Sequence, residues 1–556
     1  MNCMSSQSGN FQVDLGAIIE LLSQNLYSNP GVYIRELVQN ALDAMNAREI
    51  FEGKTTSRTI SISPVGVATA ESGPSELSIQ DSGIGLSQLD VQILLATVGG
   101  TSKRKEPGAE RRNYLGQFGI GLLSCFVIAD QIVVVSQDAH GNAPIEWTGN
   151  SDGTFLIRTL DESIPVGTTV RLCPRPDMVG WAHVEQVIPL LKKYAEFLPV
   201  PIFVATRSGL TNITSTPPWK NFASHRISVE QGNAPIFAGQ GSGTQSGVIR
   251  LFDKDLQLDG VVYIGHPKNT NRDARSNRVF VSGMLVDDRN LSILPSWATF
   301  AWAVIDSSLL EPTASRESIV ENHAIDLTRR YIGQQILNWI SEIAVHDPER
   351  FSDFISENRK ELLIATTASS WDDSGLAFAK VIIPMLTVET TESDYRISEM
   401  IERSSDLLYA DTVDEFRSIS AFNPHGRLII NAGYTWIAGL LNTIPLIFPE
   451  TTITRVYPAI EIEALRQPAA GYLSLVNRLT QRANTVLKQK NISVIVRSLP
   501  SPDIPSIFIC RARSGRVEPY SIGRLRSELF VMNWGNRLVR ALAALVTTSC
   551  LSGQSS

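Results

Sequence analysis

The sequence predicts a multidomain α+β protein, and three observations carry that expectation. Its 556 residues exceed what one hydrophobic core ordinarily organises. Over roughly the first 200 residues, helical 3.6-residue periodicity alternates with period-2 runs. Helices grouped with an antiparallel-looking set of strands indicate an α/β sandwich rather than a doubly wound parallel sheet. The composition, 43% hydrophobic and 19% charged with 38 Gly and 28 Pro, is that of a folded chain without long disordered tracts.

The elements follow in order. Residues 12–50 read as helical, and within them "YIRELVQNALDAMN" (33–46) places Ile34, Leu37, Val38, Ala41, Leu42 and Met45 on one core-facing stripe. "SNP" just upstream offers a cap residue and a Pro at the first helical position. "RTISIS" and "ELSIQD" alternate as strands, then a helix is expected from about Gln88 to Val98. The polar stretch "GGTSKRKEPGAERRN" precedes "LGQFGIGLLSCFVIAD", a loop feeding a helix, and "QIVVVSQ", "GTFLIRTL" and "GTTVRLCP" read as strands. "TRSGLTNITSTPPW" has linker composition. "GVIRLFD", "LDGVVYIG" and "NRVFVSGMLV" then read as strands, with a long helix over "AIDLTRRYIGQQILNWISEI" and a helical stretch to about residue 400. "SVIVRSL" and "SIFICRARS" read as strands and "NRLVRALAALVTT" as a terminal helix.

A net charge of −7 gives no general attraction to nucleic acid or to anionic membranes. Cys3, Cys125, Cys173, Cys510 and Cys550 are scattered without metal-ligand spacing, as expected of reduced thiols. The N-terminus lacks a basic start and apolar core, so no leader is expected. The charge-free run "LIINAGYTWIAGLLNTIPLIFP" (428–449) carries Asn, Gly and Pro, and reads as strand, turn and buried helix. A cytoplasmic location, with neither nucleic acid nor membrane as a partner, is the expectation.

Three segments of the first domain carry chemistry. The opposite stripe of the 33–46 helix presents Glu36, Asn40 and Asp43, where a merely solvated face would use better helix formers. The strand end "IQDSGIG" supplies Asp81, Gly83 and Gly85, and "YLGQFGIGLLS" supplies Gly116, Gly119 and Gly121. Glycines there let the backbone turn tightly and approach a ligand without Cβ interference. With "NLYSNPGVYIRELVQNALDA", "DSGIGLS" and "GQFGIGLLSCFVIAD" in this order and spacing, the chain resembles the GHKL ATPases, and within them the 90-kDa heat-shock chaperones of the HtpG type.

The resemblance implies an N-terminal GHKL α/β-sandwich ATPase domain, an α/β middle domain and a divergent smaller C-terminal α/β domain. It implies ATP and Mg²⁺ as ligands. Asn40 would place its amide oxygen on Mg²⁺. Glu36 would be the general base that polarises the attacking water. Asp81 would accept the adenine amino group, with Thr168 of "VGTTV" at the base end and Asp43 nearby. Backbone N–H groups of Gly116, Gln117, Phe118, Gly119, Gly121 and Leu122 would cradle phosphates. The stretch from Gly99 to Asn113, with three Arg and two Lys, matches the family's lid. "LLEPTASRESIVEN" is similar to the family's catalytic loop, making Arg316 the residue that reaches the γ-phosphate from another domain. Borrowing it would couple hydrolysis to domain docking.

The expected division is an ATP-binding domain over 10–206, a linker over 207–218, a middle domain over 219–390 and a C-terminal domain over 391–556, where the family dimerises. The absence of an acidic linker, and an end in "SGQSS" rather than an acidic tail, suggest a bacterial-type protein. Where the family usually has Asn before and Gln after the arginine, Thr313 and Val320 stand. The leading expectation is an ATP-driven chaperone acting on client proteins as a homodimer. Two alternatives stay open: a dedicated ATP-binding scaffold with weak hydrolysis, and a DNA-linked GHKL machine, against which the missing mismatch-repair motif counts.

Overall fold

The periodicity of residues 33–46 becomes helix α1, Val32–Glu52. Asn29 Oδ1 accepts from Gly31 N at 2.7 Å with Pro30 between them, so the expected cap chemistry sits one turn ahead of the regular helix. Gly53, at φ +63°, ends it in a left-handed cap that a Cβ would strain. The structure, a computed structural model, describes residues 29–54, 57–67, 75–94, 121–221, 226–227, 244–266, 277–313, 316–367, 371–423, 426–463, 465–487, 492–509 and 528–551.

The chain forms two compact units, Met1–Leu294 with Ala301–Ile332, and Pro295–Phe300 with Gly333–Ser556. In the first unit the strands are β1 (Ile60–Ser63), β2 (Leu77–Asp81), β3 (Ala129–Gln137), β4 (Ile145–Asn150), β5 (Phe155–Thr159), β6 (Gly167–Pro174), β7 (Ile202–Thr206) and β8 (Gly209–Asn212). They make one sheet in the order β5-β4-β3-β6-β2-β1-β7-β8. Every neighbouring pair is antiparallel except β1 with β7. Helix α2 (Gln88–Leu94) follows β2, and α3 (Val184–Ala195) packs beside α1. The residues of the expected helix beyond Leu94, and residues 12–28, expected to be helical, lie outside the described residues.

Three local expectations needed revision. The segment after Gly121 is a 3-10 helix, Gly121–Val127, whose turn is tightened by Ser124 Oγ donating to Gly121 O at 2.6 Å. The strand β4 carries the run "IEWTGN", whose buried positions alternate cleanly although no strand was expected there. Within the stretch of linker composition, Gly209–Asn212 pairs with β7 as the exposed edge strand β8.

A second sheet in this unit joins β9 (Arg226–Ile227), β10 (Thr244–Asp253), β11 (Leu258–His266), β12 (Asn277–Val281), β13 (Met284–Asn290) and β14 (Ala301–Ser307), ordered β13-β12-β14-β11-β10-β9. One continuous apolar core runs from α1 through the first sheet to this second one. Phe197 is its joint: its ring meets Trp219 and Phe280 edge-on, each at 5.2 Å.

The second unit begins around Trp297, Phe300, Phe354 and Phe378, with Trp297 and Phe378 stacked at 4.7 Å. The helical stretch expected to residue 400 is broken by a hairpin, Thr387–Glu389 with Asp394–Arg396, whose Val388 alone of its strand is fully buried. "LIINAGYTWIAGLLNTIPLIFP" is strand Ile429–Asn431, a turn, and helix Ile437–Ile447, as its composition predicts. The strand lies parallel to Asp406–Ala410, itself parallel to Thr452–Arg455. A last sheet pairs Ile492–Arg497 and Ser506–Ile509 with Glu528–Asn533, and the terminal helix is Arg537–Leu551. No helix among the described residues is long and apolar enough to cross a membrane.

Candidate active site

All six apolar positions of the α1 stripe are buried, as their spacing predicts. The polar stripe is not what a solvated face would be. Glu36 is only 3% exposed, and Arg35 and Gln39 are buried beside it, while Asp43 is half-buried and Asn40 exposed. A buried charge has to be paired and hydrogen-bonded. Glu36 Oε2 accepts from Arg316 Nη1 at 2.6 Å, and Glu36 Oε1 lies 3.4 Å from Arg35 Nε. Arg35 Nη1 in turn donates to the backbone carbonyl of Arg316 at 2.9 Å. The two arginines therefore hold both the carboxylate and one another.

Arg316 stands at φ +54°, a left-handed conformation costing a non-glycine residue on the order of 1 kcal/mol or more. Its loop enforces that geometry. Arg316 N donates to Thr313 O and Thr313 N to Ser318 O, both at 2.9 Å. Thr313 Oγ1 also donates to Ser318 O, and Val320 is exposed with its N–H on Glu311 O. Neither residue supplies the amide that Asn or Gln would.

Gly121 faces the same carboxylate: a Cβ there would stand 2.7 Å from Glu36 Oε2. Leu122 packs against the core beside it. Beneath lies Cys125, whose thiol is pushed up by burial and then by the negative charge of Glu36, which keeps it protonated. Gly116, Gln117, Phe118 and Gly119, and the stretch expected to form the lid, lie outside the described residues.

The D-x-G-x-G segment is packed farther along α1. A Cβ on Gly83 would come within 2.4 Å of the Ala44 Cβ, and Ile84 N donates to Ala44 O at 3.0 Å. Gly85 has φ +72°, and a Cβ there would lie 2.0 Å from Gln137 O. Asp81 ends β2 opposite Thr168 of β6. Burial pushes its carboxyl up to about 7, against the pull of the Gly83 and Thr168 backbone N–H groups. Asp81 Oδ1 accepts from Gly83 N at 2.7 Å.

Two residues at this end carried no sequence signal. Ser136 Oγ is fully buried, accepts from Leu86 N at 2.8 Å, and reaches Gly167 O at 3.0 Å and Thr168 Oγ1 at 2.9 Å. Arg48, on α1, donates to Ser82 O at 3.0 Å. Gly167 could have been read from "VGTTV": its φ is +142° and a Cβ would meet Asp81 O at 2.1 Å.

An antiparallel-dominated sheet faced by a helix with a buried carboxylate, and by two glycine turns, defines the GHKL class of ATPase. Residues 27–158 match the family model described as "Histidine kinase-, DNA gyrase B-, and HSP90-like ATPase". Over 507 residues the chain is 25% identical to "Chaperone protein HtpG" of Salinispora tropica, covering 85% of this chain and 78% of that protein. It is 24% identical over 372 residues to the protein of the same name in Chlorobium luteolum, covering 63% and 58%. With "TNF receptor-associated protein 1 homolog, mitochondrial" of Dictyostelium discoideum it shares 27% identity over 367 residues, 63% of this chain and 51% of that protein. Within the GHKL class, the chain is similar to chaperones of the 90-kDa heat-shock type.

Proposed function

We propose that this protein is an ATP-dependent molecular chaperone of the HtpG type, which hydrolyses ATP to drive conformational cycling on client proteins. The observation that supports it most directly is the Glu36–Arg316 pair, two residues from opposite ends of the unit meeting in a buried site against a glycine. Helix α1 serves as a ruler. Ala44, which seats the Asp81 loop, lies eight residues beyond Glu36, about 12 Å along the axis at 1.5 Å per residue. A nucleotide laid along that line has its base at Asp81 and Thr168 and its phosphates at Glu36, Gly121 and Leu122.

In this reading Glu36 takes the proton of the attacking water. Arg316 faces the developing charge on the transferred phosphoryl group, for which a permanently charged, multi-donor guanidinium suits. Asn40, exposed one turn from Glu36, is a neutral oxygen donor of the kind a hard cation accepts when phosphates supply the charge. When bound, Mg²⁺ neutralises phosphate charge. Asp43, which accepts from Gln39 Nε2 at 3.2 Å, supports the polar side of the helix.

Client proteins as partners and a cytoplasmic location follow from the similarity to proteins named "Chaperone protein HtpG". Homodimerisation has support in the terminal helix: Val539 and Ala543 enter the core, while Leu538, Leu542 and Leu545 line up exposed on another face. Steady-state Mg·ATP hydrolysis of wild type, Glu36→Ala and Arg316→Ala, alongside suppression of aggregation of unrelated proteins, tests the reading. Turnover lost in both variants, with general aggregation suppression, is the expected result. ATP binding with a wild type no faster than Glu36→Ala, and no aggregation suppression, would replace it with the dedicated scaffold that Thr313 and Val320 suggest.

A further inference from the structure

We infer that Arg48 is a positioning residue for nucleotide selectivity, acting through Asp81 by tying the two loops at the base end of the site. The inference rests on the proposed reading that Asp81 meets the adenine. Arg48 Nη1 donates to Ser82 O, the carbonyl next to Asp81, at 3.0 Å, and to Val166 O at 3.4 Å. Val166 directly precedes the Gly167–Thr168 pair. One guanidinium thus spans the turn after β2 and the turn before β6, two segments 84 residues apart if counted from Ser82 to Val166. Glu52, one helical turn on, holds the guanidinium in place through Nε at 2.7 Å.

The site needs such a tie. The Asp81–Gly85 turn is built of close approaches at its two glycines, with Gly83 on Ala44 and Gly85 on Gln137, which leave no side chain there to anchor it. Its other supports are few. Ser82 Oγ donates to Ser57 O at 2.9 Å, and Thr59 N donates to Ser82 Oγ at 3.0 Å. Ser136 Oγ bridges Leu86 N and the Gly167 carbonyl from the side of β3. Arg48 ties the same two turns from the helix side, and it sits on the helix that also carries Glu36. Because Arg48 binds carbonyls flanking Asp81 and Thr168 rather than those side chains, it leaves their own acceptors for a ligand. A displacement of the carboxylate costs the contact made only by a base with an exocyclic amino group, since a hydrogen bond weakens steeply with misalignment.

Two triphosphates separate that contact from the rest of the site: ATP, and inosine triphosphate, which lacks the amino group. The experiment measures dissociation constants of both, with Mg²⁺, for the full-length chain and for Arg48→Ala, Arg48→Lys and Asp81→Asn, with a thermal melt of each. Arg48→Ala is expected to weaken ATP by about tenfold with little change for inosine triphosphate, and Arg48→Lys, which keeps a donor in reach, to restore part of the difference. If Asp81→Asn narrows the ATP preference and Arg48→Ala does not, the inference about Arg48 is overturned while the site reading stands. If Asp81→Asn itself leaves the preference intact, the reading of the base end falls, and Arg48 with it. Equal weakening of both nucleotides by Arg48→Ala assigns Arg48 to general stability and also overturns the inference.

Discussion

Replacing Arg316 by Met removes the guanidinium from a carboxylate buried to 4% side-chain exposure, with Arg316 itself at 9%. Breaking a buried pair by deleting one partner costs about 3–5 kcal/mol, because the remaining charge loses its compensation. Arg35 stays 3.4 Å from Glu36 and loses nothing of its own reach, so the lower end, about 3 kcal/mol, is expected. Neutralising the carboxylate as well, in Glu36→Gln/Arg316→Met, removes the orphaned charge, and the double variant should recover about 2 kcal/mol relative to the sum of the singles. Because a chain of several domains does not unfold in one step, the reading is local. Hydrogen exchange of the peptide Val32–Glu52, followed by mass spectrometry, gives the opening free energy of α1 in each variant. A coupling below about 0.5 kcal/mol, in variants that remain folded, would refute the ion pair and with it the tight site derived from it.

The remaining predictions concern the same site. Glu36→Gln should lower kcat by about 100-fold or more while nucleotide still binds, measured by turnover and by titration with ATP; loss of binding instead would make the residue a structural one. Gly85→Ala, forced to φ +72° with its Cβ 2.0 Å from Gln137 O, should destabilise the first unit by about 3 kcal/mol. Gly141→Ala, also left-handed but with open space, should cost only about 1 kcal/mol, and local exchange of β3 compares the two. The Asp81 carboxyl sits near 7 in the folded chain against an ordinary 3.8, so the folded state binds more protons than the unfolded one between those values. Stability from this group is therefore greatest at the acidic side of that window and falls as pH rises through it. An adenine amino group favours the ionised acceptor, so ATP affinity should instead strengthen from about pH 6 to about pH 8, a trend that Asp81→Asn should flatten. A flat profile in the wild type would contradict the assignment.

What the sequence determined is local. The spacing of Ile34, Leu37, Val38, Ala41, Leu42 and Met45 dictated a helix and its buried face, because 3.6-residue periodicity is a property of the chain over a few turns. Gly83 and Gly85 were legible for the same reason: a turn that admits no Cβ excludes other residues at that position. The strand, turn and helix of residues 428–449 were read from Asn, Gly and Pro within an apolar run. What only the tertiary structure decided is what covers each face. Periodicity assigned Glu36 to a polar stripe, but a pair with Arg316, 280 residues away, buries it. No local pattern contains that distance. Ser136 reads as one more position in an alternating strand, and Arg48 as an exposed helix charge, until the chain returns through β2 and β6 and places carbonyls within their reach. A hydrogen bond needs its partners within about 3 Å, and that closeness across the chain is set by packing the whole core, which no short segment encodes.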